Sequence, residues 1–549
     1  MFGGSPERNM VNLNARNLPD NWNLEKDINI KWVAELGSRC HGQPVVAGDK
    51  VLIGTNNGHP RNPRDRDKPT DDQPDGPPID LGVLICFRAS DGKFLWQAVT
   101  DMLESGQVND WPYQGVCSTP VVDGDRVYYV SNRCEIVCLD LNGFANGNDG
   151  FQDEKYQDTT DADIIWSFDM IKQLKVFPHN KAASSPLIAG DLLFVVTGHG
   201  VEENHVQVPS PDAPSFVCLN KKTGKLVWKC NLPVGNIMHG QWSSPAHGVI
   251  KGKAQVIFPG GDGWLYAFDP PTGKLIWKFD ANPKDAKWEI GGRGTRSDFI
   301  ACPVIYNDRV YIGVGQDPEH LEGVGHYWCI DPTKEGDVSP ELVTDATKEP
   351  PVTRPNPNNG AIWHYGGPDT RPHSYRDYVF SRTMSTACIV DDVVYIPEMA
   401  GYVQCLDART GKRFWTYDTR SGIWGSCLYA DGKVYVGNED GDVYVFRHDP
   451  KPAVFDSPDD AYVRTRTAAE QNAQPGVDAK ERVKDARAAG QLAAKKAQRR
   501  IEDRVLIRKI ELDLPIRSTP SALGDTLYIA TESKLIAIAA KPAQLETKP

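Results

Sequence analysis

Tyr266-Ala267-Phe268-Asp269-Pro270-Pro271-Thr272-Gly273-Lys274-Leu275-Ile276-Trp277 reads as a strand, a tight turn and a second strand ending in tryptophan. The phrase returns at Ile85 to Trp96 through Asp91-Gly92-Lys93, at Val217 to Trp228 through Thr223-Gly224-Lys225, and at Gln404 to Trp415 through Thr410-Gly411-Lys412. Hairpins repeated at a spacing of roughly forty residues or more build a radial β array rather than one sheet.

Each phrase has an upstream half, a short hairpin behind a Ser/Thr-Pro-like opening. Eight openings occur, at Pro44, Thr119-Pro120, Ser185-Pro186, Ser244-Pro245, Cys302-Pro303, Thr386, Ser426 and Thr519-Pro520. Outer strands end near Trp96, Trp166, Trp228, Trp277, Trp363 and Trp415, and Leu506 to Leu512 is a seventh without tryptophan. The last blade lacks its outer strand, while Ile28 to Val33 is a strand without a blade. The chain is therefore expected to be an all-β, eight-bladed propeller in one domain (1–549), its ring closed by the N-terminal strand at 28–36. The blades are expected at 37–97, 113–169, 180–230, 240–280, 296–365, 380–418, 423–512 and 515–540, with a helical insertion at about 465–504 in blade seven.

Composition fits this reading. A repeat array grows by adding blades, so 549 residues need only one ring with insertions. No stretch approaches the roughly 18 apolar residues of a membrane-spanning helix. A net charge of -12 supplies no overall basic field for nucleic acid. Of twelve cysteines, Cys86, Cys138, Cys218, Cys329 and Cys405 share one slot of the repeat, where blade four has Ala267 and blade eight Ala537. A small apolar side chain suits that slot, and buried cysteine is one. No CxxC or CxxCH spacing occurs; a Cys218–Cys230 bridge across adjacent strands stays open.

The small-x-Asp-x-x-Thr-Gly-Lys-x-x-Trp phrase resembles the tryptophan-docking repeat of pyrroloquinoline quinone (PQQ) propellers, in which each tryptophan packs on the neighbouring blade's glycine turn. The resemblance covers nearly the whole chain. Two branches share the repeat: calcium-dependent quinoprotein dehydrogenases, and PQQ-like proteins without demonstrated chemistry, among them the scaffold lipoprotein of the outer-membrane β-barrel assembly machinery. Met1-Phe2-Gly3-Gly4, Arg8-Asn9-Met10-Val11, Trp424-Gly425-Ser426 and Gly437 to Asp442 look most like exported bacterial PQQ-like repeat proteins. The dehydrogenases combine calcium with an Asp base, and many carry a disulfide of adjacent cysteines. No Cys-Cys pair occurs here. Under the dehydrogenase reading Asp298 would be the base.

Propeller topology sorts the loops. Connections between the second and third strands of a blade, and from each blade to the next, crowd one face around a central funnel. That face carries the expected ligand-binding residues Trp111, His179, His239, Gln241, Trp242, Arg293, Arg296, Arg382, Trp424 and Arg517. Guanidinium groups grip anions by forked hydrogen bonds, and indoles stack on planar or sugar rings. The competing reading pairs these arginines with loop acids. Two His/Glu clusters, His199 with Glu202, Glu203 and His205, and Glu319 with His320, Glu322 and His326, match no metal motif and are read as solvated loops. On the other face Asp140, Asn142, Asn148 and Asp149 are candidate calcium ligands, although Phe144 breaks the EF-hand spacing. Ala479 to Arg508 is Ala/Lys/Arg-rich and predicts a solvated helix standing off the non-funnel face, with a basic run from Lys495 to Arg508 for an acidic partner.

The expected function is a non-catalytic PQQ-like propeller, acting as a binding or assembly scaffold without a cofactor and engaging a protein or acidic-glycan partner at the funnel. The alternative is a PQQ- and calcium-dependent dehydrogenase of alcohols or sugars. The resemblance implies a periplasmic or otherwise exported protein. Met1 opens directly on the repeat-family start, so export implies a leader already removed.

Overall fold

The computed structural model describes residues 1–315, 319, 323–472 and 478–541. Eight antiparallel sheets form an eight-bladed β-propeller. Blade four shows the unit: Ala246–Ile250 (strand A, innermost), Lys253–Pro259 (B), Trp264–Phe268 (C) and Leu275–Asp280 (D). The four-strand units of the other blades span 45–101, 121–169, 187–230, 304–368, 388–418 and 428–511. In blade eight the outer strand is Ile30–Glu35, antiparallel to Lys534–Ile538, with Trp32 opposite Ala537. The N-terminal strand closes the ring.

The register explains the small-residue slot. Cys86, Cys138, Cys218, Ala267, Cys329, Cys405 and Ala537 lie directly across from Trp96, Trp166, Trp228, Trp277, Trp363, Trp415 and Trp32. A larger side chain there would push the indole out of the blade interface. Blade seven breaks the rule, with Val445 opposite Arg508. The indoles of Trp32, Trp96, Trp166, Trp228 and Trp363 reach the next blade, donating Nε1–H to the carbonyls of Ala89, Leu141, Lys221, Pro270 and Ala408 at 2.7–3.1 Å. Four of these rings cover Gly92, Gly224, Gly273 and Gly411, where an added Cβ would come within 2.6–2.7 Å of the indole at a positive φ that already favours glycine. All twelve cysteines are free thiols. Cys230 faces Phe216 rather than Cys218, which leaves the Cys218–Cys230 bridge unformed.

The first twelve residues do something the repeat does not announce. They run along the propeller axis and hydrogen-bond the residues that open or form strand A in seven blades. Gly3 N–H donates to Gln43 Oε1 (2.9 Å), and the carbonyls of Pro6, Glu7 and Met10 accept from His247, Ile305 and Tyr429. Asn9 bonds Ile389, and Asn12 donates to Ala522. Arg8 is fully buried and donates to the carbonyls of Pro245, Ser185, Pro186 and Phe2 at 2.8–3.1 Å. Innermost strands otherwise expose unpaired backbone to the channel, and this segment covers it.

The blade-seven insertion is a helical hairpin, Pro458–Gln471 packed on Ala479–Val505, and it does not stand free as expected. Ile501 and Val505 are buried in a cluster with Tyr417 and Trp415 of blade six. The Ser457 capping box starts the first helix. Its Asp459 and Asp460 grip Arg371 at 2.6 and 2.5 Å, Ser374 donates to Asp459, and His373 pairs with Glu470 at 2.8 Å. A few buried apolar residues and these ion pairs hold the hairpin on the rim. Of the basic run, Arg499 pairs with Asp503 (2.8 Å), and Arg508 belongs to the strand Leu506–Glu511. Among the described residues no helix is long and apolar enough to cross a membrane.

Candidate functional site

Three imidazoles meet at the funnel mouth. His179 precedes blade three, His239 precedes blade four, and His205 lies in the B–C loop of blade three. One ring nitrogen from each lies within 4.8 Å of the other two. His205 Nε2 is 3.2 Å from His179 Nε2 and 3.0 Å from His239 Nε2. His179 Nδ1 lies 2.8 Å from the Val201 carbonyl, so it carries the proton and directs Nε2 inward. His179 and His239 are buried, and His205 is half-buried.

Local backbone fixes this meeting. Gly200 runs between the two D–A loops, where a Cβ would come within 2.4 Å of the His239 carbonyl and 2.6 Å of His179 Cβ. Val201 N–H donates to the His239 carbonyl, and His179 N–H to that of Gly198. The Glu202 carboxylate accepts from the N–H groups of Asn204 and Val206, curling the loop so that His205 takes φ +57°. Trp242 walls the cluster edge-on to His239, with ring centroids 5.3 Å apart, and donates to the His179 carbonyl (3.1 Å). From the B–C connection of blade five, Glu319 Oε2 lies 3.8 Å from His239 Nε2, and Asn180 Nδ2 reaches Glu319 Oε1 at 3.4 Å. Burial lowers the His205 pKa first, the neighbouring His239 lowers it further, and Glu319 opposes both.

The other expected residues divide among separate surroundings. Gln241 is buried and bonded to the His199 carbonyl, Ser215 Oγ and Gly261 N–H, which makes it a loop fastener. Trp111 is 36% exposed, its N–H on the Asn180 carbonyl, and Arg293 is exposed. Arg296 pairs with Asp280 at 2.5 Å and donates to the Asp262 carbonyl. Arg517 pairs with Glu439 (3.0 Å) and with Glu532, and its guanidinium sits 5.1 Å from the Trp424 ring. Arg382 packs beside Gly323, and Asp298 is buried.

On the opposite loop Asp140 is held by Arg126 (2.6 Å) and accepts the Asn142 N–H, Asn148 donates to Glu154, and Asp149 N–H donates to Asp163. Each of these four residues is engaged by a different partner.

The two His/Glu clusters part company. His205 joins the imidazole site, whereas His326 is buried in blade five with Nδ1 2.9 Å from His364 Nε2. His320 and Glu322 lie outside the described residues. Burial lowers the pKa of His326 to about 3, with His364 adding to the effect, and burial lowers that of His199 to about 4. The unfolded chain binds both protons near pH 6.5 and the folded chain only near 3–4, so these groups contribute stability above pH 6.5 that is lost as pH falls toward 4. The melting temperature is expected to drop between pH 7 and 5, and His326→Gln to flatten that drop. An equal slope in the variant would show that other groups set it.

In Pseudomonas putida, quinoprotein alcohol dehydrogenase PedE is 31% identical over 118 residues, 20% of this chain and 17% of the relative. The polyvinylalcohol dehydrogenase of Sphingopyxis is 21% identical over 518 residues, covering 78% of this chain and 71% of the relative. The alcohol dehydrogenase (quinone) subunit of Gluconobacter oxydans is 26% identical, and the chain covers 29% of its length. Among solved structures, BamB from Moraxella catarrhalis superposes with a TM-score of 0.51 at 11% identity, covering 93% of this chain and 99% of that one. The family described as outer membrane protein assembly factor BamB matches residues 6–146, 157–316 and 352–453, and the chain belongs to that family.

Proposed function

We propose that the protein is a non-catalytic binding or assembly propeller that works outside the cytoplasm and presents its funnel face to a protein or acidic-glycan partner. The observation that carries this reading is the pairing of two funnel arginines. Arg296 is engaged by Asp280, and Arg517 by Glu439 and Glu532, so these side chains form a charge-balanced surface held in place by loops. Such a surface suits a large partner that lies over the arginines and leaves their acids in place, better than a small polyanionic cofactor enclosed in the funnel, for which the arginines would first have to leave their acids. The donors gathered at the funnel mouth are nitrogen-rich. Calcium takes six to eight oxygens, so calcium is not the ion that this set of donors would hold.

Purified protein supplied with PQQ and calcium is expected to show no alcohol- or sugar-dependent dye reduction. Partner binding is expected to weaken with salt and in the Arg296, Arg382 and Arg517→Ala triple variant, read by affinity capture from envelope extracts and titration of the captured partner. Stoichiometric PQQ uptake with dye reduction abolished by Asp298→Asn would overturn this reading.

A further inference from the structure

We propose that His179, His205 and His239, with the Glu319 carboxylate as fourth ligand, form a binding site for one divalent transition-metal ion, and that zinc suits this three-nitrogen, one-oxygen set. The residues come from three neighbouring loops of blades two to four and from one loop of blade five, so the ion would tie four loops of the funnel face together.

The first argument is the spacing. Ligand nitrogens about 2.0–2.1 Å from a tetrahedral zinc lie about 3.3 Å from one another. The two Nε2 contacts to His205 are 3.2 and 3.0 Å, close to two edges of such a tetrahedron, and the third pair lies within 4.8 Å, so a small closing of the loops completes the face.

The second argument is the direction of the rings. With Nδ1–H of His179 given to the Val201 carbonyl, its Nε2 faces Nε2 of His205, which faces Nε2 of His239 in turn, so all three imidazoles turn the same ring atom toward one point.

The third argument is the surrounding shell. A backbone carbonyl on the far nitrogen of a histidine is the usual partner of a metal-bound imidazole, and Asn180 near the Glu319 carboxylate is placed to orient it. Trp242 shields one side of the cluster, and Gly200 lets the loops approach closely enough for the rings to meet. The site is assembled by ring topology and not by a local motif. It stands apart from the partner-binding reading, because a metal titration needs no partner.

The test uses the full chain stripped with a chelator, dialysed and titrated with zinc sulfate in a calorimeter, then loaded with Co²⁺ for its visible spectrum. One equivalent of zinc is expected, with Co²⁺ giving the intense bands of a four-coordinate ion, and with a large excess of Ca²⁺ failing to compete. His205→Ala and His239→Ala should each weaken binding by about 100-fold or more, and Glu319→Gln by a smaller factor. Zinc should raise the melting temperature of the wild type and leave that of His205→Ala unchanged. His205 is half-buried with a left-handed backbone, so His205→Asn, which tolerates that conformation, decides the matter if the alanine variants fail to fold. Absence of stoichiometric zinc binding, equal competition by Ca²⁺, or binding that survives the histidine variants undiminished would overturn the site.

Discussion

A chain lacking residues 1–36 is expected to lose its cooperative unfolding transition and to aggregate. The deletion removes the outer strand of blade eight, whose Ile30, Trp32 and Ala34 are buried while the residues between them face solvent. It also removes the Trp32 indole from Gly92 and its bond to the Ala89 carbonyl, the link from blade eight to blade one. Lys534–Ile538 would become an unpaired edge, an open template for another chain. The same cut takes away the axial segment and with it the Arg8 contacts between blades three and four. Losses on this scale rival the whole 5–15 kcal/mol or so by which a folded domain is stable. A shorter deletion of residues 1–12 spares the closing strand and should give a lower melting temperature with the ring still closed. Thermal scans and size-exclusion chromatography of both truncations separate the two roles. A monodisperse 37–549 chain that melts like the full protein would mean the ring does not depend on this closure.

The ring was legible because eight openings recur along the chain and four of them lead to the full phrase. The small residue before each turn, the glycine in it and the tryptophan after it are three local signals, and each has a cross-strand or cross-blade counterpart in the structure, as Cys86 with Trp96 and Gly224 with Trp166 show. What the sequence did not reveal lies between distant segments. Nothing near Arg8 announces that its guanidinium will end on carbonyls more than 170 residues away. The helical hairpin read as solvated because its composition is polar, yet Ile501 and Val505 suffice to seat it once Asp459 and Asp460 meet Arg371. Trp228, like Trp166, is less enclosed than the other docking tryptophans. Its strand Leu226–Cys230 has no buried residue, so its indole stays partly open where Trp96, Trp277 and Trp415 are closed.

The candidate site was half legible. His179 and His239 stood out because each precedes an innermost strand on the funnel face. His205 was read with a solvated loop, since gaps of 26 and 34 residues match no helical or hairpin spacing of metal ligands. The missing signal was topological. The loop entering a blade, that blade's B–C loop and the loop entering the next blade are neighbours around the axis, so a histidine in each of three consecutive funnel loops is a constellation that linear spacing hides. The arginines show the converse: Arg296 meets Asp280 at the start of its own connection, a pairing the sequence could suggest, whereas only the packed ring pairs Arg517 with Glu439 and Glu532.

Trp277→Ala is expected to cost about 3–5 kcal/mol, the usual range for emptying a buried aromatic site. Trp277 is fully buried in a cluster with Phe279, Leu265 and Val310, and its Nε1–H donates to Gln255 Oε1 at 2.7 Å. Gln255 is itself buried and bonded to the Pro332 carbonyl of the next blade, so the substitution opens a cavity and also leaves a buried acceptor without its donor. Relaxation into the cavity is limited because strand D here is not an edge: Gly336 and Asp337 pair in parallel with Trp277 and Lys278. Trp228→Ala removes a half-buried ring and should cost clearly less, although both tryptophans occupy the same position in the repeat. Trp242→Ala and Trp424→Ala, on the funnel face, should change binding more than stability. Denaturant titration of the four variants, read as midpoints at constant m, tests the order. If Trp228→Ala costs as much as Trp277→Ala, burial is not what sets the tryptophan contribution, because of the two only Trp228 carries the indole bond to the next blade.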